Sequence, residues 1–504
     1  MRRVLLAATA ITLLALTQAA SAQEAPVLRI GLREDPDALD PTLARSYVGR
    51  IVFASLCDKL FDINEKLEIV PQLALGYEWL DPKTVRIDLR HNVKFHDGTD
   101  MDAAAVKYSL ERHLTMQGSA RRGEISTLDH VDVVDPYTVK VSLKAPTAPF
   151  IAVLTDRAGM IVSPKAAEAA GKDFALHPVC AGPFKFAERV AQDHITLDKF
   201  DDYWDAKDIH VSKVIFRSIV DSTTTVANLR AGSIDLAENI VPSDVNTVKN
   251  DPKTKIITSP ALGYQSININ VAHGDLGKGP MSNVKVRKAF EAAIDREAIN
   301  NVVFNGMFTP NAQAISPSSP FYNKDIKTPG RDVALAKKLL AEAGVKTPVT
   351  FSMNVPNSPV SIQTAEVIQS MVAEAGFDMK IKSMEFATSL DAGDRGDFET
   401  YMIAWSGRAD PDGNLWNFDH TGGPLNYPAY SNPEMDHLLD EARAVTDTQG
   451  RIGIYKKVAE LAERDLPIML LYTPMNIVGT SAKLSGFVPV PDGLIRPQGI
   501  TIAK

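Results

Sequence analysis

Apolar and polar positions alternate in several short runs over the first half of the chain. Val27-Leu28-Arg29-Ile30-Gly31 reads as a strand ending in Gly, and the turn-dense Asp35-Pro36-Asp37-Ala38-Leu39-Asp40-Pro41 follows it. Lys83 to Arg90 alternates strictly, the mark of a half-buried strand, and Thr138 to Leu143 does so again until Pro146 and Pro149 end it. Between them Asp97-Gly98 makes a turn, and Asp102 can cap a helix whose Val106, Leu110 and Leu114 share one face. Ser163-Pro164 places a capping hydroxyl before a proline at the first helical position, and Gly171 stops the short Ala-rich helix.

From about residue 260 helices alternate with strands. Asn283 opens a helix through Val286, Phe290 and Ile294, and Asp332 caps another that runs through Leu335 and Leu339 to Gly344. The helix after Pro359 carries Ile362, Ala365, Ile368 and Val372 on one stripe and ends at Gly376. Phe377, Met379 and Ile381 then alternate with Asp378, Lys380 and Lys382. Tyr401 to Trp405 and Ile468 to Tyr472 are short apolar runs expected as buried strands. This alternation predicts right-handed βαβ units and a mostly parallel sheet.

Length sets the scale of that plan. The 504 residues suit roughly three domains at about 150 residues each, and 45% hydrophobic residues is ordinary for globular chains. A net charge of −8 argues against a general nucleic-acid binder. Residues 1–22 combine Arg2-Arg3, an apolar run from Val4 to Leu16, and small residues at Ala20 and Ala22, which is the pattern of a secretory signal cleaved near Ala22. Export to an oxidising space gives the two cysteines, Cys57 and Cys180, two options. They pair, or they stay buried as small apolar groups. Pairing would close a loop of about 120 residues and contribute roughly 2–4 kcal/mol.

Catalytic motifs are absent from the chain. It contains no phosphate-binding glycine loop, no GxSxG elbow, no HExxH and no CxxC. His91 and His96 stand five apart across a strand and a loop, a spacing that suits no common metal site. Asp201-Asp202 beside Tyr203-Trp204 reads as a solvated turn. The unusual segment is Trp405-Ser406-Gly407-Arg408-Ala409-Asp410-Pro411-Asp412-Gly413-Asn414-Leu415-Trp416, which starts where a buried strand should end. Ligands of open α/β sheets bind outside the carboxyl ends of strands. Aromatic faces, backbone groups around glycines and charges of both signs suit a small zwitterion; Asp-Pro and Asp-Gly turns with outward charges are the alternative.

Spread over the mature chain, a set of segments resembles the family 5 periplasmic solute-binding proteins of ABC importers, the dipeptide, oligopeptide, glutathione and nickel group. They are Asp37-Ala38-Leu39-Asp40-Pro41, Val93-Lys94-Phe95-His96-Asp97-Gly98-Thr99, Ala181-Gly182-Pro183-Phe184-Lys185-Phe186, Tyr203-Trp204 and Leu229-Arg230-Ala231-Gly232-Ser233-Ile234-Asp235. Val286-Arg287-Lys288-Ala289-Phe290, Ala293-Ile294-Asp295-Arg296-Glu297 and the helix from Ala336 to Gly344 continue the order. The resemblance implies an α/β, two-lobed periplasmic binding protein of type II, the Venus-flytrap form, with an extra subdomain in the first lobe. The expected division is a first lobe of residues 23–50, 180–262 and 480–504, an extra subdomain of 51–179, and a second lobe of 263–479. Hinge crossings fall around Tyr264 to Asn268 and near 475–482.

Function follows the same resemblance: a monomeric, non-enzymatic receptor without cofactor that closes on a ligand and docks on an ABC permease with its ATPase subunits. Asp410 matches the aspartate with which dipeptide-binding members hold the peptide ammonium. Where those members carry an arginine for the carboxylate, this chain reads Asn354-Val355-Pro356-Asn357-Ser358, which speaks against a simple dipeptide and leaves Arg408 as a candidate cation in its place. Trp405, Trp416, Tyr264 and Asn357 are the expected cleft-lining residues, with Ser406 and Gly407 offering polar and backbone groups. A short peptide, glutathione or an opine is the expected ligand; nickel, oligosaccharide and heme are the alternatives within the fold.

Overall fold

The computed structural model describes residues 25–503, so the signal segment expected at 1–22 lies outside the described residues. The elements largely follow the local pattern. Asp102, Ser163 and Asp332 cap their helices by accepting from the backbone N–H three residues on, and Asn283 does so from Lys285. Gly376, in the left-handed region at φ 101°, closes the long helix Pro359–Ala375.

Three sheets organise these elements. The first has seven strands in the order Thr254–Pro260, Met475–Ser481, Leu236–Ala237, Val27–Leu32, Lys213–Ser218, His194–Lys199 and Phe184–Val190. The second has six, in the order Thr309–Pro310, Ile468–Thr473, Tyr264–Ile269, Thr400–Trp405, Val349–Pro356 and Phe377–Met384. A four-stranded antiparallel sheet, with the helix Ala103–Thr115 packed on it, forms the extra subdomain. Its core draws on residues from Leu60 to Ile161 plus Ala181. Ile51, Val52, Phe53 and Leu56, together with Val162, Ala167 and Phe174, pack into the first lobe's core instead.

Neither large sheet is mostly parallel. Every parallel pair involves Val27–Leu32 or Val349–Pro356, and all other neighbours run antiparallel. The reason lies in the crossings. Thr254–Pro260 and Tyr264–Ile269 form one long path between the lobes, while Ile468–Thr473 and Met475–Ser481 form another in the opposite direction. The two paths pair antiparallel in both sheets. They change sheets at 261–263 and at Pro474, where the Ala261 N–H donates to the Pro474 carbonyl at 3.3 Å. Residues 475–479 therefore run in the first sheet and not in the second lobe.

A disulfide joins Cys57, just past the helix Tyr47–Leu56, to Cys180, with Cα atoms 4.9 Å apart. Both residues are buried in the first lobe's core. Among the described residues no helix is long and apolar enough to cross a membrane.

Candidate ligand-binding site

The strand Thr400–Trp405 delivers its last residue to the cleft side of the second lobe, and a tight loop follows. Gly407 has φ +78°, and a Cβ there would lie 2.3 Å from the Leu262 carbonyl carbon, so only glycine fits. Asn414 braces the loop: its Oδ1 accepts from Trp405 Nε1 at 2.9 Å and from the Arg408 N–H at 2.8 Å, and its Nδ2 donates to the Arg408 carbonyl. The loop is thus held at both ends before the helix Asp412–Asp419 begins.

Across from it stand the short helix Phe150–Val153 and Asp156 of the extra subdomain. A cavity of about 490 Å³ of partly solvent-open space lies between, lined by Trp405, Arg408, Asp410, Asn417, Glu124 and the 149–155 segment among others. Arg408 Nε reaches Asp156 at 2.8 Å, Arg50 Nε reaches the same carboxylate at 3.1 Å, and Arg50 Nη1 donates to Ser406 Oγ at 3.0 Å. Burial alone would push the Asp156 carboxyl up, but Arg408, Arg50, Arg157 and Arg121 hold it well below the usual carboxylate range. Burial brings the Arg408 guanidinium down to about 10 against the pull of Asp156. Among the described residues Arg408 Nη2 and Asn417 Oδ1, a donor and an acceptor, are buried without a hydrogen-bond partner, Glu124 lying 3.9 Å from the former.

Asp410 is not the free carboxylate an ammonium would need. Both its oxygens are taken by Arg451 at 2.6 and 2.7 Å, and Arg451 itself is anchored to the Ala442 carbonyl and the Tyr455 hydroxyl. The Asp-Pro turn therefore ties the loop to the helix Thr448–Asp465. Trp416 lies on the far side of its helix, its Nε1 donating to Asp440 and its ring 3.8 Å from the Arg443 guanidinium carbon. Tyr264 is buried, donates to the Asn414 carbonyl at 3.3 Å, and lines a separate cavity inside the second lobe beside Asp419. Asn357 is exposed at the end of its strand and outside the cavity lining. Of the expected lining residues, Trp405 and Arg408 face the cavity, Ser406 is taken up by Arg50, and Gly407 shapes the loop.

Arg50, Glu124, Asp156 and Asn417 were not legible as site residues, since no short motif marks them and three come from distant chain segments. Among the described residues no group of three or more His, Cys, Asp or Glu is placed to hold a metal ion. His96 is structural: it sits against the Gly182 carbonyl at 3.0 Å and the Cys180 N–H at 3.3 Å. His91 stacks on Tyr137.

The family model described as bacterial extracellular solute-binding proteins, family 5 Middle, matches residues 68–426. The chain belongs to this family. It is a solute-binding receptor of ABC importers; family 5 binding proteins are periplasmic and work with ABC permease and ATPase components. The glutathione-binding protein GsiB of Pectobacterium atrosepticum is 29% identical over 481 residues, covering 91% of this chain and 90% of its own. GsiB of Salmonella typhimurium is 30% identical over 480 residues and covers 90% of each. Among solved structures, AgaA of A. tumefaciens R10 in complex with agropinic acid superposes with a TM-score of 0.87 at 28% identity, over 95% of this chain and 99% of its own. DppA of Helicobacter pylori in complex with the peptide STSA does so with 0.88 at 25%, over 95% and 98%. This family 5 chain therefore shares its two-lobed fold with them along nearly its whole length.

Proposed function

We propose that this receptor captures a short peptide or peptide-like zwitterion, of the kind glutathione and opines represent, between Trp405, Arg408 and the 149–155 segment. Arg408 anchors a ligand carboxylate, and Asp410, held at both oxygens by Arg451, anchors no ammonium. The carrying observation is the pair of orphan groups in one cavity: a guanidinium N–H and an amide oxygen, matched to a carboxylate and to an N–H beside it. GsiB and AgaA, which carry glutathione and agropinic acid in their names and complexes, support the ligand class. The lobes close on the ligand and present it to the permease. In this reading the chain is a monomeric, non-enzymatic periplasmic receptor released by cleavage near Ala22; the glutathione-binding names of its relatives fit a receptor role.

Calorimetry on protein unfolded, stripped of bound ligand and refolded tests the proposal with di- and tripeptides, glutathione and opines. Arg408→Gln should weaken binding by about 2–5 kcal/mol, the cost of truncating one partner of a buried charge pair. Unchanged affinity in that variant removes Arg408 from the site. Ni²⁺ or oligosaccharide binding without any peptide response would overturn the ligand class and leave the fold intact.

A further inference from the structure

The charges around the cavity do not balance. Four guanidinium groups, Arg50, Arg121, Arg157 and Arg408, converge on two carboxylates, Asp156 and Glu124, leaving two positive charges over. All six side chains are largely buried, from 2% exposure at Arg157 to 15% at Glu124. Among the described residues the Arg157 guanidinium donates only to the Ala44 and Ser46 carbonyls, and Arg121 spends one arm on Ala44 and another on Glu124. Neutral carbonyls satisfy hydrogen bonds but cancel no charge.

Among the described residues, neighbouring groups supply the missing anions only in part. Asp410 is matched by Arg451 and Asp412 by Arg443, so each of those pairs is neutral. On the other side, Asp62 pairs with Lys59 and Arg496, while Asp492 pairs with Arg496 and also acts on Arg50, offsetting only part of the excess. Burial, more than repulsion from Arg121, lowers the Arg157 guanidinium from its ordinary range. Guanidinium groups stay protonated all the same, so the excess persists at neutral pH. Buried charge without a partner is costly, and evolution of a stable free protein would remove it unless something else arrives.

From this excess we infer that the ligand brings two carboxylates to the arginine cluster, one directly on Arg408 and the second within the field of Arg121 and Arg157. The inference rests on the proposed interlobe site and narrows its ligands to those that carry two carboxylates, as glutathione does. Any ligand ammonium then lies away from this end of the cleft.

The test varies ligand charge on the unmodified mature protein. Glutathione is compared with its glycine monoethyl ester by calorimetry, and glutarate with butyrate by thermal shift. Glutathione should bind about ten-fold more tightly than the ester or better, and glutarate should raise the melting temperature where butyrate does not. Arg121→Met, which changes a residue outside the cavity lining, should shrink the diacid preference to about three-fold or less. Equal binding of ester and diacid, equal effects of butyrate and glutarate, or no response to any dicarboxylate overturns the inference. Stabilisation by glutarate without binding of any peptide keeps it and sinks the peptide reading. Tight binding of peptides with one carboxylate, indifferent to a second, does the reverse.

Discussion

Replacing Asp410 by Ala separates an architectural aspartate from a ligand anchor. The carboxylate makes two charge-assisted bonds to Arg451, and the side chains are 16% and 8% exposed. Its removal strands a guanidinium between the rings of Phe321 and Tyr455, each 5.4 Å from the guanidinium carbon. Breaking a buried pair by deleting one partner costs about 3–5 kcal/mol, because the remaining charge stays buried. For a unit of 150–250 residues, roughly the size of the second lobe, that corresponds to a fall of about 6–20 °C in melting temperature at about 2–4 °C per kcal/mol. The assay is calorimetric unfolding of the ligand-free protein, with the second-lobe transition followed separately because a multi-domain chain need not melt in one step. Asp410→Asn combined with Arg451→Met removes both charges and should recover most of the loss. If Asp410→Ala leaves the melting profile in place and instead abolishes binding of amino-terminal peptides, the assignment is wrong and Asp410 is an ammonium anchor after all.

Three further outcomes follow from other parts of the molecule. Replacing Cys57 and Cys180 by serine, or reducing the bond they form across 123 residues, should destabilise the first lobe by about 2–5 kcal/mol in chemical denaturation. Burial pushes the Asp419 carboxyl up to about 7. Between about pH 4 and pH 7 the folded state therefore holds a proton that the unfolded state has released, and stability falls as pH rises through that window. Asp419→Asn should match the native protein at pH 4 and exceed it at pH 8 by up to about 4 kcal/mol. Asp58 and Glu34, also raised to about 7 chiefly by burial, keep part of the slope. Gly407→Ala should cost about 1–3 kcal/mol in strain and weaken ligand binding, because its Cβ meets the Leu262 backbone; a stable variant with unchanged affinity would show that the loop yields.

Local chemistry was legible in the residues before any fold was known. Asp102, Ser163, Asn283 and Asp332 cap helices by reaching backbone N–H groups two or three positions away, so composition over a few residues suffices. The run Tyr401 to Trp405 is a strand, buried at Tyr401 and Met402 and opening to solvent at Ala404, and the loop after it lines a cavity, because strand ends and glycine turns are also short-range features. The direction of strand pairing was not legible. Two crossing paths, Thr254–Ile269 and Ile468–Ser481, lie some two hundred residues apart, and their antiparallel contact makes both sheets mixed. Nor was the partner of Asp410, which sits 41 residues on at Arg451, or the meeting of Arg408 with Asp156 across the cleft. A side chain's type tells what it can bind, and the sequence alone determined that much. Which of its many complementary groups it meets depends on long-range packing, and only the tertiary structure decided that.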